Sequence, residues 1–317
     1  MAKTRLLITG ANGLLGQEIS RQIVQKRREF DLLVTGRASI PCLRELANHP
    51  YASLDICNKD TVQDIFNDFS PEWVINCAAM TRVDDCETHR DDCWRVNAEA
   101  VGILAHQCHS HGAHLIQLST DFIFDGNNGP YREHDRPSPV NFYGKSKLAG
   151  ENAARGAGVG KWTIVRTNVV YGNACRIPTP DFVHWVLENL SKKQKIQIYT
   201  DQWRTPSYTH DLALGILRLI HLQKNGVYNL SGREFLSMYE FSLLIAEAFD
   251  LDPTLIHPAV QNSNPQVARR PQYTGLVTLK AETEIGYRPF PLKKALEHLR
   301  FYVKIPSTRD LSEDASC

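Results

Sequence analysis

Two side chains with complementary chemistry stand four residues apart in Tyr143-Gly144-Lys145-Ser146-Lys147. On a helix that spacing puts both on one face. An ammonium beside a phenol favours the phenolate and lowers its pKa. A tyrosine tuned in this way can give a proton to a carbonyl oxygen while a hydride reaches the carbon. The lysine can also hold a ribose. The bland alternative is a solvated pair on a helix surface, and the spacing alone does not exclude it. A strand-like run closing in Ser119-Thr120-Asp121 strengthens the chemical reading. The carboxyl ends of parallel strands face the ligand crevice, and a hydroxyl there can hydrogen-bond the same carbonyl.

A second constellation lies near the N-terminus. Thr9-Gly10-Ala11-Asn12-Gly13-Leu14-Leu15-Gly16 joins an apolar run to an amphipathic stretch. The first glycine permits a tight turn, the second lets a pyrophosphate approach the backbone, and the third lets the helix pack on the sheet. The N–H groups and positive dipole end of that helix favour phosphate. A glycine triplet by itself is a weak signal; between a first strand and a first helix it reads as dinucleotide binding. Gly10, Asn12, Gly13, Leu14, Leu15 and Gly16 are therefore expected at a cofactor. An acidic residue about 20 positions on would hold the 2′-hydroxyl of NAD. The second strand ends instead in Thr35-Gly36-Arg37-Ala38-Ser39, with Asp31 too early to serve. Arg37 can pair with the 2′-phosphate of NADP(H) through its planar fork, so NADP(H) is the expected cofactor.

These residues need a scaffold that brings strand ends together. Strand-like runs at 5–9, 32–35, 51–54, 73–77, 114–118 and 163–165 alternate with helical stretches, one of them spanning roughly Asp91 to Ser110. Alternation of this kind predicts βαβ units and a doubly wound α/β parallel sheet of the Rossmann type. The second half is less regular. It carries helices near 181–190, from about 209, at 241–249 behind a Ser237/Glu240 capping box, and at about 291–303. The expected division is a nucleotide-binding domain over 1–174 with a return segment at about 203–230, and a smaller α/β substrate lobe from 175–202 and 231–305. A frayed tail is expected over 306–317.

The chain has 317 residues, 42% apolar and 22% charged, with a formal net charge of +1. That balance offers no broad field for nucleic acid. No apolar run approaches the roughly 20 residues that span a bilayer. A strand-like run begins almost at Met1, leaving no room for a signal peptide, and the eight cysteines show no CxxC pair. A cytoplasmic setting with reduced thiols is the expectation.

The turn at 9–16, Asn76-Cys77-Ala78-Ala79, Ser119-Thr120-Asp121 and the Tyr143/Lys147 pair together resemble the extended short-chain dehydrogenase/reductase family. The block Ser119 to Gly126, Pro130-Tyr131-Arg132-Glu133 and Pro139 to Glu151 is similar to its dTDP-4-dehydrorhamnose reductase branch, as is Ala268-Arg269-Arg270-Pro271; the likeness covers roughly 3–303. The resemblance implies NADPH-dependent reduction of a 4-keto-6-deoxy nucleotide-sugar. Thr120 would contact the keto oxygen, Tyr143 would be the acid, and Lys147 would hold the ribose. Asp55 and Ile56 would lie by the adenine, Cys77, Ala78 and Ala79 along the cofactor channel, and Asn97 in support. Thr81, Val83, Asp121, Arg269 and Arg270 would face the substrate, the arginines at its diphosphate. The family usually has Tyr at Met80, Trp at Val169 and Gly at Arg204; these departures leave the sugar open.

The same branch resembles the regulatory beta subunit of methionine adenosyltransferase, which binds NADP as a partner protein without turnover. An epimerase of the same fold is a further alternative. A dehydratase would need an extra acid where Phe122 and Ile123 stand. A homodimer stays open. No metal site is expected. Cys108-His109-Ser110-His111 with His114 lacks convergent ligand spacing, and Asp84, Asp85, Glu87, Asp91 and Asp92 read as the solvated start of a helix.

Overall fold

The computed structural model describes residues 3–26, 29–47, 49–176, 179–261 and 266–303. The expected fraying of the tail lies outside the described residues. The chain begins with β1 (Thr4–Thr9), α1 (Leu14–Lys26), β2 (Phe30–Gly36), β3 (Tyr51–Ser53), α2 (Lys59–Phe69) and β4 (Trp73–Asn76). It continues through α3 (Val83–Thr88), α4 (Arg90–Trp94), α5 (Ala100–His111), β5 (His114–Thr120), α6 (Phe142–Ala154) and β6 (Trp162–Thr167). Then come β7 (Val170–Tyr171), α7 (Phe182–Ser191), β8 (Ile196–Tyr199), β9 (Trp203–Arg204), β10 (Ser207–Tyr208), α8 (Thr209–His221) and β11 (Gly226–Asn229). The last elements are β12 (Leu236–Ser237), α9 (Met238–Ala248), β13 (Ile256–Ala259), α10 (Leu279–Ile285) and α11 (Leu292–Arg300).

Seven parallel strands form the main sheet in the order β11-β6-β5-β4-β1-β2-β3. This is the doubly wound α/β architecture that the alternating pattern predicts. Leu6, Leu7 and Ile8 are fully buried because both faces of the sheet are covered. Successive side chains go to opposite faces. Leu6 and Ile8 pack with Ile19 and Ile23 of α1 and Ile216 of α8, whereas Leu7 packs with Phe66 of α2 and Leu104 of α5. The strand order reverses between β1 and β4, and ligand crevices open at such a switch point. A separate apolar core joins α7, α9 and α11 to β8 and β13. Ser237 and Glu240 close a reciprocal capping box at the start of α9.

The helix read over 91–110 runs unbroken but is not α-helical throughout. Its stretch falls into α4, a π-helical turn over Arg95–Glu99, and α5. The wide turn places Asn97 inward, 1% exposed, with Oδ1 accepting from Met80 N at 2.9 Å and Nδ2 donating to Met80 O at 2.9 Å. A single inserted residue of this kind leaves the apolar pattern on either side intact, so periodicity does not reveal it. Among the described residues no helix is long and apolar enough to cross a membrane.

Candidate active site

The glycine turn sits at the switch point. Gly10 has φ +67°, and a Cβ there would lie 2.5 Å from Ala78 N. A Cβ on Gly16 would lie 2.4 Å from Gly10 O, so α1 approaches the turn as closely as backbone allows. Gly13 is exposed, while Leu14 and Leu15 open α1 half-buried. The Asn12 side chain stitches the turn to the loop after β2, donating to Tyr51 Oη at 3.2 Å and accepting from Cys42 N at 2.9 Å. Beneath it runs a buried polar chain. Thr9 Oγ1 donates to Asn76 Oδ1 at 2.5 Å, and Asn76 Nδ2 donates to Gln117 Oε1 at 2.7 Å. It ties together β1, β4 and β5, the three strands whose ends carry the candidate residues.

Arg37 is exposed at the end of β2 and has no hydrogen bond or ion pair from its side chain among the described residues. Asp55 is exposed, with Oδ1 accepting from Cys57 N at 3.0 Å; Ile56 beside it is buried. Cys77, Ala78 and Ala79 are half-buried at the end of β4, and burial pushes the Cys77 thiol up to about 12. A cradle too tight for a Cβ, an exposed helix N-terminus and a free guanidinium at the next strand end together fit a 2′-phosphorylated dinucleotide.

Thr120, Tyr143 and Lys147 come together at the carboxyl edge of β5, and all three are at least nine-tenths buried. Tyr143 stands beside Thr120 and meets the Phe122 ring edge-on at 6.0 Å. Thr120 Oγ1 accepts from Phe122 N at 3.2 Å and donates to Asp121 Oδ1 at 3.0 Å. Lys147 Nζ donates to Leu118 O at 2.7 Å. The expectation that the ammonium lowers the tyrosine pKa is corrected here. Burial raises the Tyr143 hydroxyl well above its ordinary value, and the lysine is turned to a carbonyl. Burial brings Lys147 down to about 8, against the pull of the Glu151 carboxylate one turn on. Glu151 is itself held by Arg166 through two 2.8 Å bonds and by Ser119 Oγ at 2.6 Å.

Helix α6 starts where it does because its first turn is anchored three ways. Asn141 caps it, with Oδ1 accepting from Gly144 N at 2.8 Å; Glu87 Oε2 accepts from Phe142 N at 2.9 Å; and Asn141 Nδ2 reaches Arg269 O at 2.8 Å. Asn97 Nδ2 meets Ser146 Oγ at 3.0 Å from the other side. Cys86 and Cys93 pack beside the Tyr143 ring with Met80, Val83 and Phe122. Thr81 is exposed on the way into α3 and Val83 is half-buried at its start.

The two arginines taken for a diphosphate site separate. Arg270 is bound to Asp84 through Nη1–Oδ1 at 2.6 Å and Nη2–Oδ2 at 2.8 Å, which holds the Asp84 carboxyl below its usual range. Arg269 has an exposed side chain. Asp84 and Glu87 are thus more than a solvated helix start, since each anchors a segment of the site. Sequence reading missed both, and a carboxylate one residue after Val83 carries no local mark of its distant partner. Arg204, noticed only as a departure, is 2% exposed and lies 3.9 Å from Asp121 Oδ2. Val169, another departure, stands at φ +37°, a conformation rare for a β-branched residue.

The RmlD substrate binding domain family matches residues 4–302. A probable low-salt glycan biosynthesis reductase of Haloferax volcanii is 34% identical, over 88% of this chain and 91% of that protein. The beta subunit of methionine adenosyltransferase 2 of Bos taurus is 33% identical, over 90% of this chain and 84% of that one. Among solved structures, the dTDP-4-dehydrorhamnose reductase of Bacillus anthracis in complex with NADP superposes with a TM-score of 0.82 at 29% identity, covering 95% of this chain and 100% of that one.

Proposed function

Because the chain belongs to the RmlD substrate binding domain family, we propose that it is an NADPH-dependent reductase of a 4-keto-6-deoxy nucleotide-sugar, working in the cytoplasm. One observation carries this reading: Thr120, Tyr143 and Lys147 are buried together at the carboxyl edge of β5, in the same parallel sheet whose β1 ends in the glycine turn. NADPH supplies the hydride. The turn from Gly10 to Gly16 and the start of α1 would hold the pyrophosphate, Arg37 the 2′-phosphate, and Asp55 and Ile56 the adenine. Cys77, Ala78, Ala79 and Asn97 would line the path to the nicotinamide, where Lys147 meets the ribose.

Tyr143 enters the reaction as a neutral phenol, since burial raises its pKa. It is the group that can give a proton to the alkoxide formed on the sugar. Thr81 and Val83 stand on the substrate side, Asp121 is instead buried with both oxygens bonded to threonine hydroxyls, and the exposed Arg269 is the better placed of the two arginines for a diphosphate. The lobe over 175–202 and 231–305 would cover the nucleotide-sugar. Met80, Val169 and Arg204 set this site apart in shape, so the sugar is to be found by trial. A panel of nucleotide keto-sugars with NADPH, followed by loss of nicotinamide absorbance, tests the reading; no turnover on any of them sinks it.

A second reading is favoured by the similarity to the methionine adenosyltransferase beta subunit. A protein that binds NADPH, reduces no sugar and co-elutes with a methionine adenosyltransferase catalytic subunit in gel filtration is a regulatory subunit.

A further inference from the structure

Arg204 is an unusual residue to find sealed behind an active site. Side chains alternate along β9, so Trp203 goes one way, against Phe235 and Tyr273, and Arg204 goes inward. A buried guanidinium must spend its donors. Nη1 donates to Trp203 O at 2.8 Å and Gln272 O at 2.9 Å, and Nη2 donates to Pro271 O at 2.8 Å. The cation lies 5.2 Å over the Phe122 ring, which meets Tyr143 edge-on at 6.0 Å. Its distance of 3.9 Å from Asp121 Oδ2 is too long for a hydrogen bond and short for two buried charges.

Asp121 is 3% exposed. Its two oxygens each accept a hydroxyl, Oδ1 from Thr120 and Oδ2 from Thr274. The Thr120 hydroxyl is thereby used up. It has one proton and two lone pairs; the proton goes to Asp121, and a lone pair meets Phe122 N. Nothing is left to donate to a substrate oxygen.

We propose that Arg204 is a positioning residue that acts through Asp121: its buried charge keeps Asp121 an anion, the anion claims the Thr120 proton, and Tyr143 beside it is left as the site's one hydroxyl donor. A neutral Asp121 carries a proton of its own, so this bond can reverse and free the Thr120 proton for another oxygen in the site. Burial pushes Asp121 up to about 6, and Arg204 is the first of the groups that hold it down. The groups facing this carboxylate are Arg204 from β9 and Tyr143 from α6, with Thr274 from the segment after Arg270. Arg270 stands within electrostatic reach of Arg204, and Cys86 and Cys93 face Tyr143 from α3 and α4.

The structural half rests on the placement of Arg204, Asp121 and Thr120; its kinetic consequence rests on the reductase reading. The test is a carbon-13 NMR titration of the Asp121 carboxyl in the wild type, Arg204→Gln and Arg204→Lys, with the signal assigned by Asp121→Asn. The wild type should titrate below neutrality. Arg204→Gln should raise the midpoint by about one pH unit or more, a tenfold change in acidity, and Arg204→Lys should leave it nearly in place. Equal midpoints in wild type and Arg204→Gln overturn the proposal. So does a wild-type midpoint above neutrality, a result that needs no folded variant. In turnover, the acid limb of kcat should move with the carboxyl while the KM for NADPH stays put; a kcat loss uniform across pH marks a structural role and overturns it. A titration as expected in a protein that reduces no sugar leaves this inference standing and removes the reductase reading instead.

Discussion

At Tyr143 burial raises the pKa, so the phenol is protonated at neutral pH. That suits an acid and not a base. Tyr143→Phe keeps the ring against Phe122 and Cys93 and removes only the donor. Turnover is expected to fall by about 10²- to 10⁴-fold, with NADPH affinity retained in calorimetry; undiminished turnover takes Tyr143 out of the chemistry. Lys147 gives a prediction with a definite sign. Burial lowers its pKa to about 8, so the ammonium is charged below that pH and neutral above it. The hold on the cofactor ribose proposed for it should therefore weaken as pH rises through about 8. The NADPH dissociation constant, followed by fluorescence from neutral to alkaline pH, should climb in the wild type and stay level in Lys147→Met.

The elements matter through their ends. The β1–α1 turn works because two backbone segments touch where no side chain fits. Gly16→Ala would set a Cβ 2.4 Å from Gly10 O and 2.8 Å from Ala11 Cα. Neither backbone atom is free to swing away, so a stability loss of about 1–3 kcal/mol is expected. Thermal unfolding and NADPH calorimetry should both register it, and a variant with wild-type melting and binding would show that the turn opens more easily than its packing implies. The end of β2 is the opposite case, an exposed arginine with nothing to support. Arg37→Ala should weaken NADPH binding, spare NADH and leave the melting temperature unchanged. Equal losses for the two cofactors would assign Arg37 no part in telling them apart.

At the scale of the molecule, the segment around Arg270 has to be held against the nucleotide-binding half. Asp84 does this twice, accepting Ala268 N at 2.9 Å as well as the Arg270 fork. The pair is partly exposed, with side-chain exposures of 11% and 42%, so its contribution to global stability should be small, up to about 1 kcal/mol. Its effect on the site should be larger. Asp84→Ala releases two anchors of the 268–271 segment, and roughly a tenfold rise in KM for the sugar is expected, about 1.4 kcal/mol, with NADPH affinity unchanged. Parallel losses in sugar and cofactor binding would instead point to general loosening.

The glycine turn, the strand runs and the Tyr143/Lys147 spacing were legible because each is a property of one short segment. Three glycines between a strand and a helix shape their own turn, and four residues make a helical face wherever the helix lies. The doubly wound sheet followed because strands alternating with helices have few right-handed ways to pack. What the sequence could not show is which distant groups meet. Glu87 bonds Phe142 N across 55 positions and Asp84 meets Arg270 across 186, and neither separation leaves a periodic trace. The π-helical turn at Asn97 is set by a bond to Met80 that forms only when β4 and α6 are in place. The charge states of Tyr143, Lys147 and Asp121 depend on burial and on the direction of each proton. The sequence by itself determined the class of fold and the residue types brought to the crevice. Tertiary structure decided how they are charged and which of them are free to act, because desolvation and hydrogen-bond direction arise only when separate segments close around one point.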